Sequence, residues 1–436
     1  MAKLRVALAL IAMLGFANAD LYGAHSVNTI LSFTGPNGAR PYYGVLARGE
    51  GGVLYGATSS GGSANAGTVF SLTPPASPGG SWSEAVLYSF LGGSDGEDPL
   101  TMPTLYKGVL YGTTTDGGFT GASCPSGCGT VYRLLPPAGA GGSWTKETLY
   151  SFAASSSAED GSNPESPLVI GASGEVYGTT YGGGLSGCGG NCGIVFELSP
   201  PSTEGEPWQA KTLYRFTGLD DGGVPVGGVI VSASGILYGT TSDGGTGNYG
   251  TVFELAPPVP PATTWTETVL YSFRVFQDAN TPVSPLTFGP AGVLYGTTAF
   301  GGVLNQGGTV FQLTPPTIQG GTWTEKLLYS FPGKNGDGDQ PIAPVTIGDG
   351  GVLYGTNTEG GDIGLCDHHG CGTVFQLVPP SAPGGAWTET VLTQFLDTSE
   401  SGSYPYSGIT LAPDGALYGA TSGNSLLGTI FEIVHQ

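Results

Sequence analysis

A three-residue phrase, Leu-Tyr-Gly or its variant Val-Tyr-Gly, returns seven times in this chain, centred on Tyr55, Tyr111, Tyr177, Tyr238, Tyr295, Tyr354 and Tyr418. The tyrosines are 56, 66, 61, 57, 59 and 64 residues apart, so a tandem array fills nearly all of the 436 residues. A unit of this kind must bury its apolar face against its neighbours, which constrains the fold more than any single motif does.

Each unit reads as four strands. The first is short and apolar and follows a proline, as in Val283 to Phe288. The second carries the phrase, usually extended to Leu-Tyr-Gly-Thr-Thr. A glycine pair such as Gly61-Gly62 or Gly301-Gly302 then opens a variable loop. The third strand is Gly-Thr-Val-Phe-x-Leu, as at Gly250 to Leu255. The fourth runs from Trp to Phe over a constant interval: Trp82 to Phe90, Trp144 to Phe152, Trp208 to Phe216, Trp265 to Phe273, Trp323 to Phe331 and Trp387 to Phe395. That interval is eight, an even number, which predicts Trp and Phe on one face of a regular strand, packed between sheets. The 79 glycines sit at fixed turn positions in each repeat, so they mark turns rather than low complexity.

Short alternating strands with Gly/Pro turns predict an all-β fold. Four strands in each of seven units predict a seven-bladed β-propeller with four-stranded blades, since radial repetition protects sheet edges. Residues 20–436 are expected to form one such domain. Its blades fall at about 41–90, 99–152, 164–216, 225–273, 282–331, 341–395 and 405–434. The last unit stops at a third strand, while residues 27–33 resemble a fourth strand with no unit before it, so the N-terminal strand is expected to close the last blade. A β-solenoid is the alternative, but its rungs are usually far shorter.

These phrases resemble those of the gloeo/verruco tandem-repeat proteins of bacteria. The resemblance rests on Leu-Tyr-x-Phe, an Asp-Gly-x-x-Pro turn, Leu-Tyr-Gly-Thr-Thr-x-x-Gly-Gly and Gly-Thr-Val-Phe, and spans about residues 28–434. It implies an exported protein. Members often end in a surface-sorting anchor, and attachment of that kind is not expected of this chain.

Residues 1–19 read as a Sec-type signal peptide. Lys3 and Arg5 form the charged region, Val6 to Phe16 the apolar region, and Ala17-Asn18-Ala19 the cleavage site before Asp20. No later apolar run approaches the roughly 20 residues of a membrane helix. The expected product is secreted, extracellular or periplasmic, and monomeric. With 33 acidic and 12 basic residues it carries a net charge of −21, which argues against nucleic acid, since phosphate binding needs clustered Lys and Arg.

Chemistry would sit in the two variable loops of each unit, which a propeller gathers on one rim. The loop after strand four is acidic and glycine-rich, with Asp95 and Asp98, Asp160, Asp220 and Asp221, and Asp337 and Asp339. Carboxylates at loop spacing suit Ca²⁺, while Asp-Gly is also an ordinary turn dipeptide. Turn chemistry is the first reading and no cofactor is expected; Ca²⁺ in these loops is the alternative. The six cysteines form three close pairs, Cys124/Cys128, Cys188/Cys192 and Cys366/Cys371, in the three longest loops between strands two and three. In an exported protein these are expected to be local disulfides. The third loop, Cys366-Asp367-His368-His369-Gly370-Cys371, also resembles a Zn²⁺ ligand set, and His368 and His369 are candidates for ligand contact on the rim. No nucleophile elbow or phosphate loop occurs.

Strict strands beside variable rim loops point first to a non-enzymatic binding or surface-interaction propeller, whose partner is a glycan, a peptide or a surface protein. A glycan-acting hydrolase or lyase is the alternative, and would require carboxylates converging in a pocket. A purely structural repeat is the third reading.

Overall fold

A computed structural model describes residues 25–435 except 78, 122–123, 140, 154–159, 186–190, 204, 275–278, 304–306, 319, 334–335, 383, 399–400 and 424–426. The expected signal peptide and Cys188 lie outside the described residues.

The chain is all-β, with seven four-stranded antiparallel sheets arranged as the blades of a propeller. Blade one consists of Ala47–Arg48, Leu54–Thr58, Thr68–Thr73 and Ser83–Ser89, hydrogen-bonded in chain order. The next five blades repeat this order. Blade seven combines Thr410–Leu411, Leu417–Thr421 and Thr429–His435 with the N-terminal strand His25–Ser32. Val27 there pairs with Ile433 and Thr29 with Phe431, so the ring is closed from both ends. The short first strands of four blades line an axial cavity of about 620 Å³, lined among others by Leu46, Leu105, Phe288 and Val345. Among the described residues no helix is long and apolar enough to cross a membrane.

Each residue of the repeated phrase has a packing reason. Leu54, Leu237, Leu294 and Leu353 are fully buried. The glycine accommodates an aromatic ring, because a Cβ at Gly56, Gly296 or Gly355 would overlap the Phe on strand three of the same blade. The second threonine bonds across to strand three, as Thr58 does to Thr68 at 2.8 Å and Thr298 to Thr309 at 2.8 Å. The first reaches the next blade: Thr240 donates to the Ser284 carbonyl at 3.1 Å and Thr356 to the Ser407 carbonyl at 2.8 Å.

The tyrosine of the phrase seats the tryptophan of the following blade. Trp82 packs on Tyr418, Trp144 on Tyr55, Trp265 on Tyr177, Trp323 on Tyr238 and Trp387 on Tyr295, with centroids 5.5 to 6.5 Å apart. The phenylalanine at the other end of strand four points the opposite way. Phe90 packs on Tyr132, Phe152 on Phe196 and Phe331 on Phe375, in each case in the next blade. Trp and Phe therefore lie on opposite faces, contrary to the even spacing. The cause is a β-bulge repeated in the six blades whose fourth strand carries Trp: Val69 pairs with Tyr88 and Phe70 with Val86, leaving Leu87 as one extra residue that reverses the parity of the strand. A single strand thus supplies an aromatic anchor to both neighbouring blades. Burying a Phe contributes about 1.5–3 kcal/mol, and an edge-to-face aromatic pair about 0.5–1.5 kcal/mol more.

Candidate functional site

The loops from strand four to the next strand one and from strand two to strand three meet on one rim. Seven equivalent residues mark where each chain segment turns inward there: Arg40, Asp98, Asn163, Val224, Thr281, Gln340 and Tyr404. Each precedes a proline and has a φ of +54 to +59°. That conformation is disfavoured for an L side chain and again by the proline that follows. It is held by two backbone bonds that stitch neighbouring blades together. The Asp98 N–H donates to Ala66 of blade one at 3.2 Å, and the Asp98 carbonyl accepts from Thr115 of blade two at 3.0 Å. Tyr404 does the same with Cys371 at 2.8 Å and Ser422 at 3.1 Å. None of the seven is glycine, and no two are alike.

After each proline comes a second ring of residues, Tyr42, Leu100, Glu165, Val226, Val283, Ile342 and Tyr406, and these surround the channel mouth. The ring is chemically lopsided. On the side of blades seven, one, two and three, a cavity of about 570 Å³ is lined by Tyr42, Tyr43, Tyr406, Asp98, Asp116 and Glu165. The tyrosine rings form a triangle with centroids 5.2 to 6.0 Å apart. On the other side, a chamber of about 260 Å³ is walled by Val226, Val283, Ile342 and Phe300. Tyr43 and Glu165 line both.

Three carboxyls of the first cavity, Asp98, Asp116 and Glu165, hold their protons unusually well. Burial, reinforced by the charge of Asp116, pushes Asp98 up to about 6, against a hydrogen bond from Ser59. Burial, then Asp98 and Asp116, pushes Glu165 up to about 7. Asp116 is raised by burial, and Tyr43 is pushed up to about 12 by burial and by Tyr406. One cation, Arg40, lines the cavity, and its side chain is exposed.

The other loop aspartates do not converge. Asp95 accepts from the Tyr88 hydroxyl at 2.8 Å, Asp160 from Tyr150 at 2.9 Å, Asp221 from Tyr214 at 3.0 Å and Asp337 from Tyr329 at 2.7 Å. The tyrosine is in each case that of Leu-Tyr-x-Phe, and all four aspartates also accept a backbone N–H, such as that of Leu91 on Asp95 or Gly338 on Asp337. These carboxylates fasten the loop to its own blade, one per blade. Asp220 is exposed, and Asp339 sits in a two-residue ribbon opposite Glu359. Among the described residues no group of three or more His, Cys, Asp or Glu is placed to hold a metal ion.

Cys124 is bonded to Cys128 and Cys366 to Cys371. Cys192 is also disulfide-bonded. Cys128, Cys192 and Cys371 are fully buried, and their carbonyls accept the N–H of Asn163, Val224 and Tyr404, each at 2.8 Å. The second cysteine of each pair therefore anchors a blade seam. With both sulfurs of the third loop in a disulfide, no thiolate remains there for Zn²⁺. His368 and His369 are exposed, and His369 Nδ1 lies 3.4 Å from Glu359.

Of the site residues read from the sequence, only Asp98 lines the mouth among the described residues. Asp116, Glu165 and the three tyrosines were missed. The available signal was the position after each X-Pro, which varies within an otherwise strict frame and is charged only at Glu165.

The family model of the Gloeobacter/Verrucomicrobia repeat matches residues 78–287 and 259–436. No curated protein matches the chain. Among solved structures, the chain is similar to Sqt1 of Chaetomium thermophilum bound to the N-terminus of ribosomal protein L10, at 13% identity over 91% of this chain and 85% of that one, with a TM-score of 0.46. It is also similar to an ulvan lyase of a new polysaccharide lyase family, at 10% identity over 91% and 94%, with a TM-score of 0.45. Likenesses this distant say nothing about a ligand.

Proposed function

The chain belongs to the Gloeobacter/Verrucomicrobia repeat family, and we propose that it is an exported, non-enzymatic binding propeller whose ligand enters at the channel mouth over blades seven, one, two and three. One observation carries this reading: the positions that vary between otherwise uniform blades, the X-Pro residues and those after them, are gathered around a single lopsided mouth. Function concentrates on loop positions held by a rigid scaffold, and seven non-glycine residues in a conformation that suits glycine are positions where a side chain serves a purpose. Glycan and peptide arrays, probed with the wild type and with Tyr406→Ala and Glu165→Gln, test it. A ligand lost at least tenfold by both variants supports the mouth; ligands insensitive to both overturn it.

A glycan-acting hydrolase or lyase is the second reading, favoured by the juxtaposition of two carboxyls in one cavity, of which burial and the neighbouring carboxylates push Glu165 up to about 7, toward the range of a general acid. Release of shortened or unsaturated product from an array-positive glycan, lost in Glu165→Gln, would select it over binding alone.

A further inference from the structure

The mouth joins two environments that single out one kind of guest. Its apolar chamber is walled by Val226, Val283 and Ile342 and by Phe300, which leaves 41% of its surface exposed, although burying a large apolar side chain is favourable. Such a surface favours an apolar stem. At the edge of the chamber stand Glu165 and Tyr43, and beyond them Asp98 and Asp116 with the rings of Tyr42 and Tyr406. Carboxylates outnumber the single exposed Arg40, so the mouth repels anions. Clustered tyrosine rings present faces that attract a cation, an interaction worth about 0.5–2 kcal/mol.

Resting on the mouth being the ligand site, we infer that it takes the side chain of a lysine flanked by apolar residues in a peptide segment of a partner protein, with the ammonium at Glu165 and the tyrosines and the apolar neighbours against Val283 and Ile342. A lysine carries four methylenes ending in a compact charge, which matches an apolar wall ending in a carboxylate. The ammonium also relieves the mutual repulsion of Glu165, Asp98 and Asp116, so binding tightens as pH rises from 5 to 8 and Asp98 and Glu165 ionise.

The test uses the full chain and three capped tripeptides: Leu-Lys-Leu, its Nε-acetyl-lysine twin and Leu-Glu-Leu, followed by calorimetry or ligand-observed NMR at pH 8. The lysine peptide is expected to bind at least tenfold more tightly than its acetylated twin, and Leu-Glu-Leu more weakly than either. Glu165→Gln removes the preference for the free amine. Phe300→Ser weakens the lysine peptide and its twin alike, which separates the apolar contribution from the charge. Equal binding of the two lysine peptides, or a preference unchanged in Glu165→Gln, overturns the proposal. If an array ligand requires Tyr406 and Glu165 but is not displaced by Leu-Lys-Leu, the ligand class falls while the mouth stands. If array ligands ignore both variants, the mouth reading fails with it.

Discussion

Phe33 and Phe70 meet edge to face with ring centroids 5.3 Å apart, across the seam between blade seven and blade one. The same contact joins Phe152 to Phe196 at 5.3 Å and Phe273 to Phe311 at 5.2 Å, but in those seams the first ring arrives on strand four of the preceding blade. At the closing seam it arrives from the N-terminal strand. Phe33 is 5% exposed and its N–H donates to the Gly428 carbonyl at 3.0 Å.

Phe33→Ala is therefore expected to cost about 3–5 kcal/mol, as for other buried Phe truncations, read by chemical denaturation. A loss below about 1 kcal/mol would show that the N-terminal strand does not close the ring as described.

The bulge at Leu87 has an equally direct consequence. Removing that one residue would leave Val69–Tyr88 and Phe70–Val86 as regular consecutive pairs, with Phe90 seven residues from Trp82 and still on the opposite face. Deletion of Leu87 is therefore expected to cost only the packing of its own half-buried side chain, about 1–2 kcal/mol, while Phe90 keeps its pocket. Deletion of Ala64, exposed in a loop of the same blade, should stay within about 1 kcal/mol. A loss of several kcal/mol on deleting Leu87 would mean that Phe90 leaves its pocket and would remove the bulge from the account.

The bulge also marks how far the sequence could be read. Blade number, strand order and N-terminal closure follow from a period carried by many residues at once, so no local irregularity hides them. The face of Trp82 depends on one uncounted residue, and an extra Leu in an apolar strand leaves no compositional trace. The mouth was half legible for a related reason. Asp98 stands out as a loop carboxylate, but its nearness to Asp116 and Glu165 is produced only when three blades curve around an axis. Nothing in the linear spacing of 98, 116 and 165 announces it.

The Tyr–Asp contacts predict the response to chelators. Asp337 accepts from Tyr329 and from the Gly338 N–H, and the equivalents in other blades do likewise, so protein groups already fasten these loops. Tyr329→Phe and Asp337→Asn are each expected to cost about 0.5–1.5 kcal/mol. A chelator is expected to leave the thermal midpoint of the wild type unchanged. A clear fall on chelation would assign the loops to Ca²⁺ instead.

Reduction of the disulfides should be a modest perturbation. A ring closed across the few residues from Cys366 to Cys371 contributes about 2 kcal/mol in the chain-entropy model. Cys366→Ala with Cys371→Ala is expected to lower stability by about that amount and to loosen Tyr404, which bonds to both cysteine carbonyls. Faster amide exchange at Tyr404, with Asn163 unaffected, would locate the effect at this seam; uniform acceleration would not.

Stability should also depend on pH through the seams beneath these loops. Two residues after Trp387, Glu389 faces Asp337 and Tyr329, and burial together with the Asp337 charge pushes its carboxyl up to about 8. Glu267 faces Asp221 and Tyr214 in the same way and is pushed up to about 7. Each has a buried Oε1 with no hydrogen-bond partner among the described residues. At the same position in blade two stands Lys146, whose ammonium lies 2.9 Å from Asp95. For the two glutamates the folded chain keeps a proton that the unfolded chain releases near the ordinary glutamate value of 4.5. Their contribution is therefore fully present below about pH 4.5 and is lost as pH rises to about 8. The thermal midpoint is expected to fall across that window, and Glu389→Gln should flatten the fall. Glu389→Lys would place an ammonium against Asp337 as Lys146 does against Asp95, with an expected gain of about 1.5–3 kcal/mol at pH 8 from a charged hydrogen bond. A midpoint indifferent to pH in the wild type, or lowered by Glu389→Lys, would mean that the carboxyl pair does not face itself across the seam.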